Sequence, residues 1–282
     1  MTEERPRSSV RRILVAVDAS HHSIAALEAA VDLASRFHAE LLGLHVEDIN
    51  LLRLAELPFA REVGQFSAAV RRLDVPKVER QIRVQTVRVR HIFENRTERA
   101  QVQWSFRVTR GSVSQEVVTA ASDTDLLVLG RAGWSLLRRG RLGTTARAIV
   151  ARSPSMTLLL PGGSCLSSPL TVVFDGSPLA KRALEVAESF LPGTDRRLRV
   201  LILANGHERL SPLRDQVDTW LQGRELDVRY RALTESNVSR LVEAIKSEEC
   251  GTLILPVKSA VLEDSALQGL LEELELPILL VR

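Results

Sequence analysis

The chain carries the same opening twice. Residues 12–20 read RILVAVDAS and residues 169–177 read PLTVVFDGS, each a short β-branched and apolar run that ends in Asp, a small residue and Ser. An internal repeat constrains everything downstream, because both halves must be accounted for by one supersecondary plan. An amphipathic segment follows each opening. Ile24, Leu27, Val31 and Ala34 fall at helical spacing behind Ser20, a suitable N-cap. Leu179, Ala183, Val186 and Phe190 repeat that spacing up to the breaker Pro192-Gly193.

The parallel continues to the end of each half. ELLGLHVED at 40–48 corresponds to RLRVLILAN at 197–205, and QVQWSFRVTRG at 101–111 to LDVRYRALTES at 226–236. The helix-like stretches SVSQEVVTAAS (112–122) and NVSRLVEAIKSEE (237–249) lead to DLLVLG (125–130) and TLILP (252–256), and SMTLLLP (155–161) and PILLV (277–281) close the halves. Strands of nearly continuous apolar character, alternating with helices, describe parallel sheets buried on both faces. The chain therefore reads as α/β, with two tandem doubly wound open parallel-sheet domains and ligands expected beyond the carboxyl ends of the strands. The expected divisions are a disordered tail over 1–10, a first domain over 11–161, a linker over 162–168 within the breaker-rich PGGSCLSSP, and a second domain over 169–282. A length of 282 residues suits two such domains.

The halves are unequal. Asp18 and Asp175 lie 157 residues apart but Gly130 and Pro256 only 126, so the first half holds 31 extra residues between its first and fourth strands. The excess falls in 49–100, which contains 11 Arg or Lys, six Asp or Glu, and prolines at 58 and 76. Most of it is expected to be helical, although Ile82, Val84, Val87 and Val89 also suit a strand. It is either an elaboration packed beside the sheet, or a docking surface or lid over the ligand site.

Composition narrows the function classes. With 45% hydrophobic and 26% charged residues, wholesale disorder is excluded. No apolar run approaches the ~18 residues of a membrane span, and the polar opening MTEERPRSSV lacks an export signal's apolar core. A cytoplasmic protein without a membrane partner is expected. Cys165 and Cys250 are too few and too isolated for a disulfide framework or a metal cage. A net charge of +3, from 34 Arg and four Lys against 35 acids, raises the question of nucleic acid. Aromatics make up only 4%, however, with one tyrosine, Tyr230, so no stacking platform in a basic groove is visible and no nucleic-acid partner is expected.

The most informative stretch is LLVLGRAGWSLLRRGRLGTTARAIV at 126–150, where Gly130, Gly133, Gly143 and Thr144 spell G-x2-G-x9-G-T. Gly130 leaves a strand end, where a missing side chain lets backbone and ligand approach closely. Gly133 permits a turn that aims peptide N–H groups inward. Gly143-Thr144-Thr145 opens a helix whose first N–H groups lack internal partners and attract anions. That dipole is worth only ~0.3–1 kcal/mol when exposed, so useful affinity requires the whole nest of donors and the Thr144 hydroxyl. At the same spacing the second half has Pro256, Ser259, Gly269 and Leu270, losing two glycines and the hydroxyl, and Pro256 offers no N–H. One competent site is expected, in the first half.

With these residues in place, the chain resembles tandem members of the universal stress protein family, whose nucleotide-binding members carry G-x2-G-x9-G-(S/T). The opening ILVAVDASHHSIAALEAAVDLA and the strand LLGLHVED match that family's habit. The resemblance covers the chain except 49–100 and the N-terminal tail. It implies adenine-nucleotide alpha-hydrolase-like domains packed as an internal pseudo-dimer, with MTLLL and PILLV pairing across it. It further implies ATP, ADP or AMP as ligand, with Mg2+ held through the phosphates. Carried over, Asp18 lies near ribose or metal, Val46 offers backbone contacts to adenine, and Gly130, Gly133, Gly143 and Thr144 cradle phosphate together with Thr145. Arg131, Arg138, Arg139 and Arg141 either add cations there or form only a flexible basic loop, and Trp134 either stacks on a neighbour or covers the loop.

Signatures of turnover are missing. There is no G-x4-G-K-(S/T), no G-x-S-x-G and no histidine array with metal-ligand spacing. His21 and His22 read as solvent-facing helix-start residues, His45 as a satisfied core histidine, and Asp123 and Asp125 lie at the amino end of their strand, away from any site. The expectation is a regulatory protein that binds ATP in its first domain and, through loop ordering, modulates an unidentified protein partner, with a homodimer also open. Two alternatives stand beside it: a slow ATP hydrolase or nucleotidyl-transfer enzyme on the same scaffold, and a nucleotide-free scaffold acting through 49–100.

Overall fold

The computed structural model describes residues 10–63, 70–131, 142–191, 195–204, 206–234, 238–248, 250–257 and 264–282. The first half runs β1 (Arg12–Ala16), α1 (His21–Phe37), β2 (Glu40–Asp48), α2 (Ile49–Glu56), β3 (Arg61–Val63), β4 (Val70–Arg72), α3 (Val75–Ala100), β5 (Trp104–Gly111), α4 (Val113–Ala121), β6 (Leu126–Gly130), α5 (Thr144–Arg152) and β7 (Met156–Leu160). The second runs β8 (Leu170–Phe174), α6 (Pro178–Phe190), β9 (Arg197–Leu203), a 3-10 turn, α7 (Leu210–Leu221), β10 (Asp227–Leu233), α8 (Val238–Ser247), β11 (Thr252–Pro256), α9 (Asp264–Glu273) and β12 (Ile278–Val281).

The repeated Asp-small-Ser opening has a plain structural meaning. Asp18 Oδ1 accepts the Ser20 N–H at 2.9 Å and Asp175 Oδ1 accepts the Ser177 N–H at 3.0 Å. Between them, Ala19 and Gly176 take left-handed φ angles of 60° and 82°. The turned chain then delivers each serine as an N-cap. Ser20 Oγ accepts the Ser23 N–H at 3.2 Å and Ser177 Oγ accepts the Ala180 N–H at 3.1 Å, which satisfies donors a helix start otherwise leaves unpaired. Behind the caps, the alanine- and leucine-rich faces of α1 and α6 lie buried on the sheet. Asp125 serves the amino end, its carboxylate accepting the N–H groups of Arg11 and Arg12 at 2.8 and 2.9 Å.

All ten long strands join one sheet in the order β10-β9-β8-β11-β12-β7-β6-β1-β2-β5. Each half is thus a 3-2-1-4-5 doubly wound sheet with parallel neighbours, and apolar side chains cover both faces. The halves meet where β7 and β12 pair antiparallel, Ile278 opposite Leu159, Leu279 opposite Leu158 and Leu280 opposite Thr157. The fourth strands lie one place further out, so an approximate twofold axis passes through this seam. Arginines clamp it by reaching helix C-terminal carbonyls of the opposite half, where partial negative charge collects. Arg36 donates to Phe190 and Leu191 of α6 at 3.0 and 3.2 Å, Arg131 donates to Leu271 and Leu274 at the end of α9, and Arg282 donates to Val150 of α5. Phe37 stands edge-on to Phe190, ring centroids 5.0 Å apart, on the same seam.

The segment 49–100 is not a separate appendage. The C-terminal half of α3 is the crossover that any β2-to-β5 connection needs, and Val89, Phe93 and Thr97 are fully buried there. Phe93 lies over Gly43, whose missing side chain makes the space: a Cβ on Gly43 would stand 2.4 Å from the ring. What exceeds the second half is the N-terminal half of α3, 26 residues against the 12 of α7, together with α2 and the two-stranded ribbon β3–β4. The strand alternative for Ile82–Val89 is not adopted, since Val78, Ile82, Val89 and Phe93 share one buried helical face while Val84 and Val87 point outward. The ribbon, of three residues a side, has too short a pattern to register in the sequence. A crossover helix runs antiparallel to its strands, so the added turns of α3 rise past the carboxyl edge of the sheet. Among the described residues no helix is long and apolar enough to cross a membrane. Residues 1–9 lie outside the described residues; Val10 is buried in the core.

Candidate functional site

A cleft of about 540 Å3 opens at the carboxyl ends of β1, β2 and β6, within the ~300–1,000 Å3 range of small-molecule sites. Asp18, Val46, Gly130, Arg131, Gly143, Thr144 and Thr145 all border it. Gly133, Trp134, Arg138, Arg139 and Arg141 lie outside the described residues, as does Ser259 of the second half.

The cleft has two chemically different walls. On the β6 side is the start of α5. Its cap, Gly143, makes no side-chain bond to the helix, and Thr144 and Thr145 are exposed, so helix-start N–H groups and two hydroxyls face the opening. Arg131 and Gly143 are held in place: the Arg131 N–H donates to Leu160 O at 2.8 Å and the Gly143 N–H to Arg131 O at 3.0 Å. On the β2 side the wall is apolar, with Leu44, Val46, Leu51 and Ile82, and carries the amide of Gln85. Leu51, Ile82 and Gln85 come from α2 and α3, and sequence pattern alone did not reveal them. Their signal was present but indirect, in the buried face Val78, Ile82, Val89, Phe93, which sets Gln85 beside that face and toward the sheet edge.

Two residues of this site also pack against other parts of the chain. Gly130 borders the cleft with its backbone, and the start of α1 takes the place a side chain would need. A Cβ on Gly130 would lie 2.7 Å from the carbonyl carbon and oxygen of His22, so packing between β6 and α1 requires the glycine. Arg131 was expected among the cations of the phosphate loop. Its side chain is instead only 5% exposed and its guanidinium holds the carbonyls of Leu271 and Leu274 in the second half. Burial pulls its pKa below the ordinary value, opposed by the nearby Glu275 and Glu272 carboxylates. The adjoining Arg147–Glu272 ion pair ties α5 to α9 as well.

The carboxylates around the cleft hold structural partners. Asp18 closes its turn, and Asp48 caps α2 by accepting the Asn50 N–H at 2.9 Å. Glu47 takes Arg110 at 2.9 Å on one oxygen and the Thr86 hydroxyl at 3.1 Å on the other. Among the described residues no group of three or more His, Cys, Asp or Glu could hold a metal ion. His45 is the satisfied core histidine expected, its Nδ1 2.8 Å from Val17 O. His21 is exposed, but His22 is not the solvent-facing residue expected. Its ring is partly buried against Gly162, with Nδ1 enclosed, and burial first, then His21, lower its pKa while Asp18 opposes.

At the matching turn of the second half the surroundings differ. Gly176 faces Leu213 of α7, with a Cβ there falling 2.4 Å from the leucine methyl, so an apolar side chain closes over the turn.

These features can be set against known proteins. The model of the universal stress protein family matches residues 9–161. No curated protein matches the chain. Among solved structures, a universal stress protein from Archaeoglobus fulgidus superposes with a TM-score of 0.74 at 15% identity, over 96% of this chain and 98% of that one. A Pseudomonas aeruginosa PAO1 protein described as functionally unknown gives a TM-score of 0.57 at 11% identity, over 97% of this chain and 93% of that one. At such identities the structural likeness speaks for the fold, which extends through both halves; the family match, spanning more than half of the residues, speaks for descent. The chain belongs to the universal stress protein family.

Proposed function

We propose that the protein binds an adenine nucleotide, ATP with Mg2+ on its phosphates, in the first-half cleft, and that occupancy regulates a protein partner rather than feeding a catalytic cycle. The observation that carries this reading is the pairing of walls: helix-start N–H groups and hydroxyls at α5 for phosphate, an apolar face at β2, α2 and α3 for a base. Phosphate at Thr144 and Thr145 would bias the loop anchored by Arg131 and Gly143, and a shift between loop states requires only that the nucleotide bind one state more tightly.

The partner-facing surface in this reading is the extension beside the cleft. The large hydrophobics exposed among the described residues, Leu51, Leu54, Leu57, Phe59, Val84 and Val87, all lie on α2, the segment after it and α3. Exposed apolar groups gathered on one segment mark contact surfaces more often than scattered ones do.

Calorimetric titration of nucleotide-stripped protein with Mg-ATP tests the reading, with one nucleotide per chain expected. Gly143 has φ −60° and ψ 149°, angles that valine adopts freely, so Gly143→Val keeps the backbone while placing a branched side chain at the helix start. Affinity should fall at least tenfold, about 1.4 kcal/mol, with the melting temperature held. Absence of heat from wild-type protein at several temperatures would overturn the proposal.

A further inference from the structure

One polar group of the cleft belongs neither to the glycine loop nor to the strand ends. Gln85, on the rising half of α3, donates from Nε2 to the carbonyl oxygen of Asp18 at 3.0 Å. A carbonyl can only accept, so this bond fixes the amide: its NH2 is turned to β1, and Oε1, an acceptor, is turned away from it. Among the described residues the bond to Asp18 is the side chain's only hydrogen bond, and the residue is half-buried on the cleft wall.

Position assigns this acceptor to one end of a ligand. β1 lies between β6, which leads to the Thr144–Thr145 helix start, and β2, which leads to α2 and α3. Neighbouring strands are ~4.8 Å apart, so the two walls stand roughly two strand spacings, about 10 Å, from each other. A 5′-nucleotide with phosphate at α5 therefore brings its base to Gln85, among Leu51, Ile82, Leu44 and Val46. A largely apolar slot with an immobilised amide acceptor, beside the Glu47 and Asp48 carboxylates that hold their own partners, suits a flat heteroaromatic ring that presents a donor at its edge.

The turn itself does not need Gln85: Asp18 and Ser20 already close it between themselves.

We propose that Gln85 sets base specificity: its Oε1 accepts from the exocyclic amino group of a 6-aminopurine and faces acceptor against acceptor when a 6-oxopurine enters. This rests on the nucleotide reading above and adds to it a residue from the extension, outside the loop pattern. Losing that hydrogen bond and setting two acceptors against each other on a half-buried wall should together give at least tenfold discrimination.

The test compares ATP with inosine triphosphate, which carries oxygen in place of the amino group at C6 and a proton on N1, by titration of the full chain. Wild-type protein should prefer ATP at least tenfold. Gln85→Leu should bind both within threefold of each other. Gln85→Met, nearer in length and equally without an acceptor, serves if the leucine variant fails to fold, and the melting temperature identifies that case. Equal affinities in wild-type protein, or an ATP preference that survives in a folded variant, overturns the role of Gln85 and leaves nucleotide binding standing. Failure of wild-type protein to bind either nucleotide instead overturns the reading on which it rests.

Discussion

Gly43 and Phe93 share one space, and each explains the other. The phenyl ring fills the place of a Cβ on residue 43 and stacks edge-on or tilted against Trp104 and Phe106, centroids 5.5 and 5.1 Å away. Gly43→Ala should therefore destabilise the protein by about 2–3 kcal/mol, the upper range for overpacking, read as a lower denaturant midpoint at unchanged slope. Combining it with Phe93→Leu should recover part of the loss, a coupling of about 1 kcal/mol or more in a double-mutant cycle. His22 gives a pH-dependent counterpart. Its folded pKa lies below the ordinary 6.5 because burial disfavours the imidazolium. As pH falls through 6.5 the unfolded chain takes up a proton that the folded chain does not, so stability is full above that value and declines below it. His22→Gln should flatten the fall in melting temperature between pH 7.5 and 5.5; parallel slopes for both proteins would refute this. At this scale the caps and Asx turns were legible, because serine and aspartate act on neighbours two or three residues away. The employment of Gly130 and Arg131 was not, since their partners lie more than 100 residues off in sequence.

Helices and strands were read correctly where their pattern is long. α1, α6 and the ten sheet strands follow from periodicity and breakers, whereas the ribbon β3–β4 is too short to leave a pattern, and the division of α3 into a buried crossover and a projecting half depends on packing with β2 and β5. The same limit hid the link between α5 and α9. Arg131→Met keeps bulk and removes the donors to Leu271 and Leu274, leaving their carbonyls without this charged partner. About 2–4 kcal/mol of stability should go, since hydrogen bonds from charged groups contribute ~1.5–3 kcal/mol and orphaned acceptors add to the cost. Nucleotide affinity of the folded variant should stay within threefold of wild type. A tenfold loss with little change in stability would return Arg131 to the phosphate loop.

For the molecule as a whole, the repeat made the tandem fold legible in the sequence, whereas the seam was expected only through the resemblance to tandem universal stress proteins. All five residues of β7 are buried in the intact chain. A fragment of residues 1–161 uncovers that edge, and an apolar unpaired strand is a template for another. It should sediment as a dimer, and Leu158→Lys within the fragment should give monomers; a monomeric unmodified fragment would show that β7 holds its partner only through covalent linkage.

The seam also bears on dose and response. A twofold assembly of two identical subunits has two equivalent pockets, which can influence each other and bend a saturation curve away from a simple hyperbola. When one polypeptide supplies both sides of the axis, each side is free to diverge, and here Pro256 ends β11 where the other side has Gly130 at the end of β6. In the proposed reading, with one working pocket per axis, occupancy would follow free ligand as a hyperbola with a Hill coefficient of one. Such a molecule reports concentration in proportion over a broad span instead of switching at a threshold.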